Sequence, residues 1–508
     1  MRRIPTTLEA GRVMTRTTGG TAKVLPRPRS AVAESLTSWT APGGASASTP
    51  AERTERGRAA RAAVPRPVFG EFAPAAERPD PIELLGRQDI SRVPELLPIR
   101  YGRMAATPFS FFRGAAAVMA ADLAPAPTSG LTVQACGDAH LSNFGFFASP
   151  ERRLVFDIND FDETLPGPWE WDVKRLAASL EIAARDRGFP DAQAHEIVET
   201  AGRSYREAIR AFAGMPNLEV WYAVADVEQV KGQVEDQLNR ERRKRLDKGL
   251  AKARTRDNLG ALARFATTID GRTQFKAEPP LVVPLRDLYA DVSEQENIRA
   301  GLYGLLSDYM VSLPPDRRIL VDSYRPVDIA RKVVGVGSVG TRSWMLLLLG
   351  RDEGDPLFLQ AKEAGRSVLE DHLPAAVQSN AGARVVDGQR LMQTVGDIFL
   401  GWVRVNGFDG KQRDFYVRQL RDWKGSVEVE AMVPSALRVY AQICGWTLAR
   451  SHARSGDRIA LAGYLGSSTA FERALVRFAH AYAEQNEKDH RALVEAIADG
   501  RVAAQPGV

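Results

Sequence analysis

The chain has 508 residues, 44% of them hydrophobic, with two cysteines and a net charge of +5 at neutral pH; that is more chain than one hydrophobic core usually encloses, so two lobes plus unstructured chain are expected. Cys136 and Cys444 are too few for a disulfide framework and lack metal-ligand spacing, which points to a reducing cytoplasm and two small buried hydrophobes. No run approaches the roughly 18 apolar residues of a membrane span, and the start carries no stretch resembling a secretory signal, so a cytoplasmic protein without membrane contact is expected.

The positive charge is concentrated at the start. Residues 1–70 hold eleven Arg and one Lys against four Glu, a balance of +8, which leaves −3 for residues 71–508. The segment is rich in Pro, Gly, Ser, Thr and Ala without periodicity, and such chain cannot bury enough apolar surface to offset its ordering entropy. Residues 1–78 are therefore expected to be a disordered basic tail, solvated rather than bound to nucleic acid. Phe109–Leu123 is Ala-rich with helical apolar spacing and predicts one buried helix, ended by Pro125 and Pro127. Leu131–Ala135 is a short apolar approach to a polar loop, Gly137–Asn143 (GDAHLSN), and Phe144–Phe147 and Arg153–Ile158 flank a Ser-Pro turn as a β-hairpin. Helices are predicted over Trp171–Arg185 and Ala194–Phe212.

Residues 238–256 are the most charged, from Arg242 to Arg256, and read as a solvated helix; with no interleaved aromatic residues to stack on bases, they argue against nucleic acid as a partner. From Asp328 strands take over: Ile329–Val334, Ser343–Leu349, Leu357–Lys362 and Phe415–Leu420. Leu437–His452 and Ala470–Ala498 are predicted helices.

The chemistry concentrates at the hairpin. Asn143 lies immediately before its first strand and Asp160 just beyond its second, so antiparallel pairing brings them together. Asp138, five residues before Asn143, adds a second carboxylate. Such hard oxygen donors suit Mg²⁺, which binds few protein carboxylates and keeps positions for water and phosphate oxygens. Phosphoryl transfer needs this metal and a carboxylate to accept the proton of the attacking hydroxyl. The opposing reading is a Gly-Asp-x-His turn that only hydrogen-bonds its own backbone.

Gly137-Asp138-Ala139-His140-Leu141-Ser142-Asn143 resembles the catalytic loop of aminoglycoside phosphotransferases and choline kinases. The resemblance implies Asp138 as base and Asn143 as metal ligand, with His140 either ordering the loop or sharing in proton transfer. Asp160-Phe161-Asp162 resembles the metal-binding segment of those enzymes, with Asp160 as second ligand and Asp162 as a further metal ligand; Asp172, twelve residues on from Asp160, matches an aspartate that braces the loop from a helix. Asp157 does not fit that register. The chain from about residue 90 to its end also resembles a bacterial family catalogued as domain of unknown function 2252, which implies no substrate.

Gly335-Val336-Gly337-Ser338-Val339-Gly340 is a G-x-G-x-x-G between two predicted strands, followed by Lys362 in the third. Kinases use this arrangement to cradle ATP phosphates with Gly335, Gly337 and Gly340 and to neutralise them with a lysine; Glu370, or else Asp387, would be its acidic partner. A dinucleotide-binding turn with Glu363 as ribose ligand is the rival, opposed because the apolar run Trp344–Leu349 reads as a strand rather than a helix. The glycine loop follows Asp138 by 197 residues, the reverse of the usual kinase order. The expectation is therefore an α+β, protein-kinase-like two-lobe fold, circularly permuted. Residues 79–325 would form a helical catalytic lobe with the metal-binding hairpin, 326–430 a strand-rich nucleotide lobe, and 431–508 helices packing on the catalytic lobe. The expected function is an ATP- and Mg²⁺-dependent phosphotransferase acting on a small molecule or protein that the sequence does not identify. Alternatives are a metal-dependent phosphoester hydrolase, opposed by histidines scattered at 195, 372, 452, 480 and 490, a non-catalytic nucleotide-binding module, and a dinucleotide-binding protein.

Overall fold

Regular structure begins earlier than composition suggests. A computed structural model of the protein describes residues 48–507 except 235–239, 289–291, 334, 407–409, 421, 424 and 427. Within it Pro50–Ala63 is a helix, opened by a capping box in which Thr49 and Glu52 satisfy each other's backbone N–H groups, with Pro50 at its first position. It packs through a small residue: a Cβ on Gly57 would meet the Ala460 carbonyl oxygen at 1.9 Å. Next comes Phe69, buried and stacked on Trp169 with ring centroids 5.4 Å apart. The expected tail of 1–78 is thereby corrected for its second part, because close approach through glycine leaves no apolar periodicity to read; residues 1–47 lie outside the described residues.

The helix expected over 109–123 is two, Pro108–Gly114 and Ala116–Leu123, broken at Ala115. β1 (Thr132–Ala135), β2 (Phe144–Ala148), β3 (Leu154–Ile158) and β4 (Leu165–Pro168) follow. β2 and β3 form the expected hairpin, Phe144 opposite Ile158, while β4 turns back on β1 with Leu165 opposite Ala135. Its two prolines hide β4 from strand patterning, since proline fits only where no ladder N–H is needed. Helices Trp169–Asp186 and Asp191–Ala213 complete this region, and β5 (Ala225–Asp226) pairs with β3.

The charged stretch is the helix Arg240–Arg254. β6 (Ala266–Ile269) and β7 (Arg272–Phe275) form a hairpin, and β8 (Val282–Pro284) opens the main sheet with β9 (Arg325–Lys332), β10 (Ser343–Leu349), β11 (Pro356–Ala364), β12 (Gly401–Asn406) and β13 (Gln412–Gln419). The order is β12-β13-β11-β10-β9-β8, antiparallel throughout, with helix Ala381–Met392 between β11 and β12. Leu306, Tyr309 and Val321, from helices before residue 326, and Leu313 between them form one apolar cluster with sheet residues such as Leu346, Leu359 and Val417. The expected boundary at 325/326 is therefore corrected: β8 and these helices belong with the sheet. β14 (Gly425–Ser426) pairs with β2, so the chain leaves the sheet along the hairpin.

Helices Pro434–Ser455, Arg458–Leu465 and Ala470–Ala498 finish the chain. The largest core runs from Phe69 to Ala483 and joins the final helices to Trp169–Asp186 and Asp191–Ala213. The described residues all fall in one compact unit. Among the described residues no helix is long and apolar enough to cross a membrane.

Candidate functional site

The loop after β1 is shaped by backbone rather than side-chain chemistry. Gly137 has φ +81°, and a Cβ there would strike the Glu163 carbonyl oxygen at 2.3 Å, so only glycine fits. Asp172, buried on the helix Trp169–Asp186, accepts from the backbone N–H of Cys136 at 2.7 Å and of Gly137 at 2.9 Å. Behind it His452 Nε2 lies 3.2 Å from the same carboxylate, and Tyr205 meets His452 Nδ1 at 2.8 Å. These contacts set the position of Asp138. Arg175 donates to Asp138 Oδ1 at 2.8 Å from Nε and lies 2.7 Å away through Nη2, leaving Oδ2 to face His140 Nε2 at 3.7 Å. Burial raises the pKa of Asp138, opposed by Arg175. Burial, reinforced by Arg113 and Arg175, pushes His140 well below its ordinary value, so its imidazole is neutral at pH 7.

Asn143 donates through Nδ2 to the Asp138 carbonyl at 2.8 Å, which leaves its amide oxygen available, and its own carbonyl accepts from Asn159 N at 2.7 Å. The hairpin register thus delivers Asn143 and Asp160 to one cleft. Asp162 N donates to Asp160 Oδ1 at 3.2 Å. From β11, buried Lys362 reaches down to pair with Asp162 and lies 3.8 Å from Asp160 Oδ2. Tyr416, directly opposite Lys362 on β13, donates to Asp162 Oδ1 at 2.8 Å. Burial, then the neighbouring Asp162, raises Asp160; burial acts on Asp162 too, but Lys362 and Tyr416 outweigh it and hold that carboxylate below its ordinary value. Lys362 is raised in turn because the two carboxylates overcome its burial.

The glycine loop joins β9 to β10, two antiparallel strands, and opens no helix, so it lacks the strand-to-helix geometry of a dinucleotide turn. Glu363 instead faces Arg342 at 3.2 Å and Arg413 at 3.5 Å. Gly335 and Gly340 have φ +60° and +91°. The loop is latched to the helices of residues 81–114: Arg103 donates to the Gly335 carbonyl, Arg92 to that of Val339, and Val93 N to that of Gly340 at 2.8 Å. Ser338 Oγ lies 3.5 Å from Asp162 Oδ2.

All three segments line one cavity of about 110 Å³: Asp138, His140 and Asn143; Asp160, Asp162 and Glu163; Gly335, Gly337 and Ser338. Arg92 and Arg113 supply its basic wall. Gly340 lies at the loop's far end against Arg92. Glu370 is not drawn in. It closes a capping box with Ser367, accepting from its N–H at 2.9 Å, while Asp387 accepts from Gln378 at 3.3 Å; neither pairs with Lys362. The helix Ala381–Met392 turns Arg384 toward the site, where it donates to the carbonyls of Asp162 at 2.7 Å and Thr164 at 2.6 Å. Sequence reasoning also missed Arg175, Arg384 and Tyr416. Only Tyr416 left a trace, by alternation within its strand.

Among the described residues, one trio of His, Cys, Asp or Glu has ligand atoms all within 4.8 Å of one another, Glu181, His195 and His480, away from this cleft. Arg185 already occupies it, 3.0 Å from Glu181 Oε1 and 2.7 Å from His480 Nδ1. Compared with known proteins, no curated protein and no solved structure matches the chain. Residues 92–496 match the family described as an uncharacterized protein conserved in bacteria, and with that span of the chain matched, the protein belongs to this family, domain of unknown function 2252.

Proposed function

We propose that the cleft carries out ATP- and Mg²⁺-dependent phosphoryl transfer in a kinase-like manner, with the catalytic and nucleotide segments in permuted chain order. The observation that carries this reading is the convergence in one cavity of Asp138, Asn143 and Asp160 with a glycine loop 197 residues further on, bridged by Lys362 at 3.8 Å from Asp160. The strand order supports it. Counted from the glycine loop, the strands β9 to β13 run 1-2-3-5-4, with the loop between the first two, the lysine on the third and a helix after it. The departure is that this helix offers Arg384 where kinases have an acid for the lysine.

The donor set fits magnesium: the oxygens are hard, Asn143 keeps its amide oxygen available, and the Asp160 side chain is 30% exposed toward the cavity. When bound there, Mg²⁺ would neutralise phosphate charge and orient the transferred group. Arg175 holds one oxygen of Asp138, so the other is presented to an acceptor hydroxyl. As that hydroxyl oxygen bonds to the terminal phosphorus, the bond to the bridging oxygen of ADP breaks and the hydroxyl proton passes to Asp138. The raised pKa of Asp138 favours accepting that proton. Lys362 would exchange Asp162 for phosphate oxygens.

A cavity of about 110 Å³ is smaller than ligand pockets of roughly 300–1,000 Å³, so nucleotide entry requires the latched glycine loop to lift. The test is thermal unfolding of the full chain with ATP plus Mg²⁺, ATP plus EDTA, or NAD, repeated for Asp160→Ala. Ligand at 100 times its Kd stabilises by about 2.7 kcal/mol. Magnesium-dependent stabilisation by ATP, lost in Asp160→Ala, is expected; a response to NAD alone, or to neither nucleotide, refutes the proposal.

A further inference from the structure

Arg113 is half-buried and lines the cavity. It ends the helix Pro108–Gly114, and the break at Ala115 turns it to the cavity beside Asp138, His140 and the glycine loop. Every other arginine around the site is engaged: Arg175 by Asp138 and the Phe112 carbonyl, Arg92 by Val339, Arg384 by three carbonyls, Arg418 by Asn159 and Gln360. Among the described residues Arg113 makes no side-chain hydrogen bond or ion pair, and its Nε, like those of Arg92 and Arg384, is buried without a partner. A half-buried guanidinium that has lost hydration without a hydrogen bond in return favours an anion that can supply one. Burial lowers its pKa, with Glu430 and Asp138 acting in the opposite direction.

The same cavity is lined by Asp160, Asp162 and Glu163, the first two beside Lys362. The cavity is thus bipolar. An anion entering it would find two cations, Lys362 of β11 beside Asp160 and Asp162, and Arg113 near Asp138. Gly337 brings the glycine loop close to this helix: a Cβ there would meet the Arg113 carbonyl oxygen at 3.0 Å.

We propose that Arg113 is a catalytic residue that binds the terminal phosphoryl group of the nucleotide, clamping it together with Lys362 while it passes to the acceptor. This rests on the phosphotransferase reading above. Arginine suits the role because its planar fork binds two phosphate oxygens and stays charged when buried. Because the residue contacts only the terminal group, it discriminates ATP from ADP and leaves binding of the rest of the nucleotide untouched.

The test compares Mg²⁺·ATP and Mg²⁺·ADP binding by calorimetry for the wild type, Arg113→Gln and Arg113→Lys, with the unliganded melting temperature of each. The wild type should bind ATP at least tenfold more tightly than ADP. In Arg113→Gln that preference should collapse toward unity through loss of ATP affinity alone, and Arg113→Lys should restore part of it. The unliganded melting temperature of Arg113→Gln should equal or exceed that of the wild type, which a merely structural arginine would not allow. Equal loss of both nucleotides, an unchanged preference, or a variant that melts well below the wild type would each overturn the assignment of Arg113 while leaving the phosphotransferase reading intact. A wild type that binds neither nucleotide would overturn both.

Discussion

Asp172 offers the sharpest test of how the site is built. Its carboxylate accepts from Cys136 N at 2.7 Å and Gly137 N at 2.9 Å, so Asp172→Ala orphans two backbone donors at once. A buried unsatisfied donor costs roughly 1–3 kcal/mol; counting Cys136 in full and partly exposed Gly137 at half, the loss is about 1.5–4.5 kcal/mol. Asp172→Asn keeps one acceptor oxygen and should lose about half as much, roughly 1–2 kcal/mol. Thermal unfolding at pH 7 should therefore rank the wild type above Asn and Asn above Ala. Magnesium-dependent stabilisation by ATP should weaken in the same order, because Asp138 and Asn143 ride on the loop that Asp172 holds. An Ala variant as stable as the wild type would refute the bracing argument. Equal losses in Asn and Ala would show that the negative charge, rather than the pair of hydrogen bonds, is what matters.

Burial pushes Glu163 from 4.5 up to about 7. With the folded pKa above the unfolded one, its contribution is complete below about pH 4.5 and lost as pH rises through about 7, so Glu163→Gln should flatten the decline in melting temperature across that window; an unchanged profile would count against it. Arg103→Ala removes a hydrogen bond that holds the glycine loop down, and stopped-flow association of Mg²⁺·ATP should quicken by roughly two- to tenfold, the range for a bond of about 0.5–1.5 kcal/mol; an unaltered rate would mean that the loop does not gate entry. Phe69→Ala removes the ring stacked on Trp169 and should cost about 3–5 kcal/mol in chemical denaturation, as for other large buried aromatic residues; a loss under about 1 kcal/mol would refute the claim that residues 50–78 are part of the core.

Much of the local structure was legible because its signals are short-ranged. The hairpin around Ala148–Arg152, the strand Ser343–Leu349 and the helix Ala470–Ala498 appear with the expected type and nearly the expected bounds, since alternation and helical spacing report which face of an element is buried. β4, the helix Pro50–Ala63 and the break at Ala115 were not legible. Proline at an edge, glycine against a carbonyl and a single residue leaving helical geometry carry no periodic pattern.

The sequence alone determined which residues could do chemistry here. Asp138, Asn143 and Asp160 could be named as a set because a hairpin brings its ends together whatever surrounds it, and Gly335 to Gly340 could be assigned to a turn between strands because an apolar strand, not a helix, follows. Tertiary structure decided the partners. Lys362 pairs with Asp162 and Asp160 rather than with Glu370, Arg175 holds Asp138, and the Nε of Arg113 is left without a partner, because each of these depends on how segments distant in the chain pack. Ion pairing acts over a few ångströms in space and is indifferent to separation along the chain, so composition and spacing cannot reveal which of several acids a buried lysine will meet.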